Sequence, residues 1–279
     1  MTPLHFTVIM FAVSISAGVL GSLLGIGGGI IVVPVLTQLF GIDMHHAVGA
    51  SIVSVIATSS GAAAAYVRER MTNLRVAMLL EIGTTTGALT GAVVAGYLNA
   101  RVLQAIFGVI LAASALMMLR KRREKSGLDV KPDVLSEKLR LHGSYFDEKE
   151  QREVAYRVTN APLGLGLMYV AGVLSGLLGI GSGVLKVPAM DLAMRLPIKV
   201  STATSNFMIG VTAATGAGVY FARGDINPFI AGPVAGGVLI GATIGSRLLG
   251  KLTNKSIRVG FIVILLWASF EMLRKGVFG

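Results

Sequence analysis

Two ionisable side chains sit where an apolar chain has little reason to place a charge. Lys186 lies in the first turns of the apolar stretch GVLKVPAMDLAM, residues 183–194, and Glu81 is the carboxylate inside the long apolar stretch 76–98. A charge at the bilayer centre costs about 2.5–3.5 kcal/mol on insertion scales, so residues kept there usually have a task. A lysine at such depth attracts an anion, and a carboxylate suits a proton or a cation. Directly ahead of Lys186 runs GIGSG (Gly179, Ile180, Gly181, Ser182, Gly183), and an equivalent GIGGG occupies Gly25, Ile26, Gly27, Gly28 and Gly29. A glycine turn that opens a helix offers unpaired N–H groups and roughly half a positive charge, which favours an anion. No GK[ST] run and no flanking βαβ pattern accompanies either turn, which argues against a nucleotide loop.

Each of these residues also has a plainer reading. The glycines alone would permit tight helix packing. Lys186 would snorkel to an interface or pair with a carboxylate; Asp191, five residues on, falls on a different helix face. Glu81 is either a coupling group or an interfacial residue, since 76–80 is little more than one turn. The runs SIVSVIATSSG (51–61) and STATSNFMIGVTAATG (201–216) add hydroxyls, among them Ser51, Ser205, Thr58 and Thr212, and one amide, Asn206. Hydroxyls in apolar helices often bond only their own backbone, whereas a buried amide needs partners. His45 and His46 read as surface residues. Cysteine is absent, which removes disulfides, thiolate catalysis and Cys-ligated metals. No intramembrane Ser–His, Asp–Asp or His cluster suggests an enzyme, and nothing implies a cofactor or metal.

The elements that must position these residues are apolar helices. Hydrophobic residues make up 53% of the chain, charged residues only 14%, and mean hydropathy is +0.74, far from the soluble average. Eight stretches (4–24, 47–66, 76–98, 102–119, 161–179, 200–222, 228–246 and 256–273) have about the 20 residues that a helix needs to cross a bilayer. The N-terminus has no basic n-region or cleavage site and reads as a first span. The net charge of +11 fits basic residues near span ends rather than nucleic-acid binding.

The chain is also written twice. AGVLGSLLGIGGGIIVVP at 17–34 recurs as AGVLSGLLGIGSGVLKVP at 171–188, an offset of 154 that holds without a gap for some ninety positions. It pairs Ser51 with Ser205, Thr58 with Thr212, Tyr66 with Tyr220, Asn73 with Asn227, Phe107 with Phe261, and Gly83, Gly87 and Gly91 with Gly237, Gly241 and Gly245. Such matching means duplication of one unit. The apolar pieces 29–40 and 183–194 are too short to span, because twelve helical residues cover about 18 Å. Each reads as a short helix returning from a glycine turn inside the membrane. Five helical segments per half, an odd number, invert the second half, with its site between the halves. Loop charges agree: Arg68, Arg70, Arg75 and the RKRR after residue 119 suit the cytoplasm, as do Arg195, Lys199, Arg247, Lys251, Lys255 and Arg258 in the second half. Both termini then lie outside. Four spans per half in a parallel repeat is the competing arrangement.

The expected organisation is a first transmembrane repeat at 1–120, a charged cytoplasmic linker at 121–160, and a second repeat at 161–279. Eleven basic and eight acidic residues between Arg120 and Arg157 keep the linker out of the bilayer. Its run LRLHGSYFDEKEQREVAYRV reads as a small β-hairpin within a solvated connector.

These motifs carry a resemblance. GSLLGIGGGIIVVPVL at 21–36, GLLGIGSGVLKVPAM at 176–190 and STATSNFMIGVTA at 201–213 resemble the TauE/SafE family of sulfite and organosulfur anion exporters, over nearly the whole chain. Ser182 stands where a third glycine would be usual. The resemblance implies a transporter of sulfite, an organosulfonate or a related organic acid across the plasma membrane.

The residues and the resemblance together predict an all-α integral membrane protein of two inverted five-helix repeats, with eight long spans and two short helices. It would act as a secondary transporter, since no ATP-binding motif is present. Its anion would sit between the glycine turns (Gly25, Gly27, Gly28, Gly29; Gly179, Gly181, Ser182, Gly183), held by Lys186 and completed by Ser51, Ser205, Asn206 and Thr212. Glu81 would couple transport to a proton or cation. Other partners would be lipid alone, without nucleic acid. An anion channel, a membrane-embedded enzyme and a scaffold organised by the linker are the rival readings.

Overall fold

A computed structural model describes residues 3–119, 132–148, 150–249 and 251–278. The RKRR segment therefore lies outside the described residues. The first half comprises α1 (Pro3–Leu24), α2 (Gly29–Gln38), α3 (Met44–Arg68), α4 (Leu74–Ala95) and α5 (Ala100–Leu119). A short helix, α6 (Val134–Lys138), and two strands, β1 (Gly143–Asp147) and β2 (Arg152–Tyr156), follow. The second half comprises α7 (Ala161–Leu178), α8 (Gly183–Pro188), α9 (Ile198–Ala222), α10 (Pro228–Leu249) and α11 (Asn254–Phe278), with one π-helical turn at Ala189–Ala193 after α8.

The helix starts obey the sequence offset. Gly29 and Gly183, Met44 and Ile198, Leu74 and Pro228, and Ala100 and Asn254 each open equivalent helices 154 residues apart. Equivalent chemistry sets some of these starts: Asn73 caps α4 by accepting from Val76 N at 3.1 Å, and Asn227 accepts from Phe229 N at 3.0 Å ahead of α10.

Packing crosses between halves. α1 lies along α10, α4 along α7, α5 along α11, and α3 against α9. The paired glycines explain the closest of these contacts. A Cβ on Gly87 or Gly91 would run into the backbone of Tyr169 or Val173 on α7, and one on Gly241 or Gly245 into Ile15 or Val19 on α1. Small residues in this spacing let helix backbones approach where no hydrophobic drive between helices exists.

Among the described residues, six helices are long and apolar enough to cross a membrane: α1, α3, α4, α7, α10 and α11. Their outer faces expose large apolar side chains, such as Met78, Ile82 and Val93 on α4 and Val263, Trp267 and Phe270 on α11. Surfaces of this kind belong in lipid, and the chain is a multi-pass membrane protein. Two of the eight expected spans are not among the six. Among the described side chains the apolar run of α5 covers Ala100–Leu116, and α9, although 25 residues long, carries Lys199, Asn206 and several hydroxyls.

The linker carries a small β-hairpin, as its alternation predicts, and one face of that hairpin is buried. β1 and β2 pair antiparallel, with Gly143 opposite Tyr156 and Asp147 opposite Arg152. Alternation turns Tyr145, Asp147 and Tyr156 inward, and all three are buried. Burial pushes the Tyr156 phenol up to about 12, only partly offset by its hydrogen bond from Asn73, so its hydroxyl stays neutral. Tyr145 and Tyr156 share a core with Val76, Leu80 and Met194, which seats the hairpin on one end of the bundle.

The glycine ladder yields a direct expectation. Gly87→Val should lower stability in detergent by about 1–3 kcal/mol, because overpacking forces α4 off α7. Gly232→Val, with nothing within 4 Å of its added carbon, should leave the unfolding midpoint nearly unchanged; equal effects would show that the ladder does not set the spacing.

Candidate functional site

The two glycine turns meet at the centre of the protein. Gly25, Gly27, Gly179 and Gly181 all have φ between +63° and +75°, a region that L side chains rarely adopt. Ser182 adopts it too, at φ +58°, and donates from Oγ to its neighbour Gly181 O at 2.7 Å. Its repeat equivalent Gly28 is instead right-handed, so the departure from glycine coincides with a change of backbone shape. The turns pack back to back: a Cβ on Gly183 would strike Gly25 O and Ile26 Cα, and one on Gly29 would lie 3.2 Å from Ile180 Cα. Both turns are buried throughout.

Hydroxyls clamp this crossing reciprocally. Ser51 on α3 donates to Gly179 O at 2.8 Å, and Ser205 on α9 donates to Gly25 O at 2.6 Å. Each half thus satisfies a carbonyl that the other half freed by breaking its helix. Tyr66 and Tyr220 repeat the device within their own halves, donating to Ser22 O at 3.0 Å and Gly176 O at 2.7 Å. Asn206 donates from Nδ2 to Ser22 O at 2.7 Å, and its buried Oδ1 has no hydrogen-bond partner among the described residues.

Symmetry ends at the next pair. Thr58 Oγ1 accepts from Gly28 N at 3.2 Å, at the start of α2. Its equivalent, Thr212 on α9, accepts instead from Lys186 Nζ at 2.6 Å and donates to Glu81 Oε1 at 2.6 Å. Lys186 Nζ also lies 3.6 Å from Glu81 Oε2. Lys186 is fully buried, while the Glu81 side chain keeps 13% of its surface exposed. Lys186 therefore does not snorkel. Three elements, α4, α8 and α9, meet in one neutral ion pair bridged by a hydroxyl. Asp191 takes Arg258 as its partner at 2.7 Å.

The arrangement has a definite electrostatic property. With Glu81 ionised, its charge cancels that of Lys186. With Glu81 protonated, Lys186 is a buried and uncompensated cation, beside Thr212 and close to the crossing of the two turns.

The sequence profile described as Sulfite exporter TauE/SafE matches residues 10–272. The chain belongs to the TauE/SafE family. Among curated proteins, this TauE/SafE chain is 29% identical over 278 residues to "Probable membrane transporter protein YunE" of Bacillus subtilis (strain 168), covering 97% of this chain and 98% of that protein. It is 26% identical over 252 residues to "Probable membrane transporter protein YdhB" of the same organism, covering 89% and 92% of the two chains. A "Probable membrane transporter protein" of Xylella fastidiosa (strain 9a5c) is 27% identical over 273 residues, covering 92% of this chain and 95% of that protein. No solved structure matches the chain at a significant level.

Of the residues singled out in the sequence of this TauE/SafE protein, the fold gathers both glycine turns, Ser51, Ser205, Asn206, Thr212, Lys186 and Glu81 about one centre. His45 and His46 lie apart, beside Asp43, whose side chain accepts from His45 N at 2.8 Å as the cap of α3. Sequence reasoning singled out Lys186 and Glu81 but did not join them, because 105 positions separate them and only the packing of both α4 and α8 against α9 brings them together. It read Lys199 only as a loop charge, whereas the side chain is buried and paired with Asp147 at 2.9 Å. The alternation of the hairpin was the available signal, since it turns Asp147 to the same face as Tyr145.

If Lys186 and Glu81 stabilise one another, Lys186→Met should cost about 3 kcal/mol, because it strands a largely buried carboxylate. The double variant Lys186→Met/Glu81→Gln should recover most of that loss in the same unfolding assay. A double variant no more stable than the single one would show that the pair is not coupled.

Proposed function

We propose that this protein is a secondary transporter that moves a small anion (sulfite, an organosulfonate or a related organic acid) across the plasma membrane, by alternating access of two inverted repeats. Membership of the TauE/SafE family and relatives named as probable membrane transporters support transport and the substrate class. The reciprocal packing of α1 on α10 and α4 on α7, each first helix against the other half's fourth, supports inversion. Loop charges support an orientation with both termini outside and the linker in the cytoplasm.

The observation that carries the mechanism is the Lys186–Thr212–Glu81 constellation. In this reading Glu81 takes up a proton, Lys186 loses its counter-charge, and an anion binds between the glycine turns beside Lys186 and Thr212. The N–H groups of the turns at 25–29 and 179–183, the hydroxyls of Ser51 and Ser205, and the Asn206 amide complete the site. Charge balance then enforces coupling. The empty site holds one lysine cation and one carboxylate; the loaded site holds one lysine cation, a neutral carboxylic acid and one anion. Both are neutral and can change access, whereas a site holding only the proton or only the anion carries a net charge that is costly in the membrane. One proton accompanies each monoanion.

Uptake and counterflow in proteoliposomes, against a panel of sulfur oxyanions and small carboxylates, test this directly. Glu81→Gln should retain counterflow but lose uptake driven by a pH gradient, and Lys186→Ala should lose anion affinity. pH-driven uptake that survives Glu81→Gln would overturn the coupling, and unchanged affinity in Lys186→Ala would overturn the site.

A further inference from the structure

The linker makes contacts that connecting two repeats does not require. Asp147 at the end of β1 and Lys199 in the first turn of α9 form an ion pair at 2.9 Å, with 4% and 1% of their side-chain surface exposed. A buried pair is weak evidence for stability, because both partners lose their hydration, but it does specify one docked geometry. Asn73, the cap of α4, ties the same hairpin down by donating from Nδ2 to Leu141 O at 2.8 Å and to the Tyr156 hydroxyl at 3.0 Å. Its own N–H donates to Thr204 Oγ1 on α9 at 3.0 Å. The hairpin therefore grips α4 and α9 at once, the two helices that carry Glu81 and Thr212.

Beneath the hairpin the apolar core continues inward. Tyr145 and Tyr156 belong to one buried cluster with Leu80 and Met208, both fully buried. Leu80 precedes Glu81, and Met208 lies one turn before Thr212, whose hydroxyl is 3.1 Å from Met208 O. Hairpin, Leu80 and Met208 thus form a continuous apolar plug between the linker end of the bundle and the Lys186–Glu81 pair. The position equivalent to Lys199 is His45, so the first half has no lysine at this place in its own third helix.

We propose that the β1–β2 hairpin is a plug that closes the cytoplasmic mouth of the transport path, latched by the Asp147–Lys199 ion pair and the Asn73 bonds. The proposal rests on the cytoplasmic placement of the linker and on the site described above. Opening toward the cytoplasm requires α4 and α9 to separate at this end, so the latch must release in each cycle.

The absence of native cysteine allows a direct test. Met208→Cys, in inside-out membrane vesicles, reports access from the linker side through its rate of reaction with a membrane-impermeant maleimide. Adding Asp147→Asn should raise that rate at least roughly tenfold by shifting the population toward the open mouth. Tyr156→Phe, which keeps the ring and removes only the hydroxyl that accepts from Asn73, is the gentler variant and should raise it less. A rate unchanged in both variants overturns the plug. Conversely, Asp147→Cys with Lys199→Cys, bridged by a short disulfide-forming bis-thiol reagent, should abolish proteoliposome uptake until a reductant restores it; undiminished uptake with the bridge in place overturns the requirement for release. Labelling needs no substrate, so it separates failure of the plug from failure of the transport reading.

Discussion

A chain that breaks its helix in an apolar interior frees carbonyls and amides that water cannot satisfy. This protein breaks two helices, at Gly25 and at Gly179, and solves both breaks with one exchange. Ser205 serves the carbonyl of Gly25 and Ser51 serves that of Gly179. Neither half can satisfy its own turn in this way, so the crossing exists only when both halves are present. The close approach of the turns accompanies that exchange, and glycine at positions 25 and 179 supplies the positive φ that the turns need.

The same crossing leaves room for asymmetry. Position 58 keeps a threonine whose hydroxyl meets a backbone amide, whereas position 212 meets a lysine and a carboxylate. Lys186 replaces Val32 of the first half, and Glu81 faces it from α4, where the repeat has Ala235. Each half thus contributes one charged residue that the other lacks, and the sum is neutral. A symmetric scaffold made chemically unequal at one point gives that centre a polarity without disturbing the packing that holds it.

Much of the architecture was legible because it rests on local properties that repeat. Apolar runs, glycine spacing and the offset of 154 mark helices whose starts coincide in the structure at Gly29 and Gly183 or Met44 and Ile198. Gly87 and Gly241 were visible as a pair, and their use against α7 and α1 is what small residues do in lipid. Span counting was less secure. α9 is as long as α3 but too polar to stand out, since it carries Lys199, Asn206 and a series of hydroxyls, most of them buried inside the bundle. The hairpin of the linker was legible from its alternation, but its seat was not, because composition reports charge but not pairing, and Asp147 and Lys199 neutralise one another out of water.

By itself, then, the amino-acid sequence determined a duplicated, helical membrane protein, the position of its two helix breaks, and the few residues able to handle charge. Hydrophobicity, glycine conformational freedom and period are properties of neighbouring residues, so they can be read along the chain. Only the tertiary structure decided which charges meet. It joined Lys186 to Glu81 through Thr212 and seated Asp147 on Lys199. The energy of a buried charge depends on partners many residues away, and those distances are set by how helices cross.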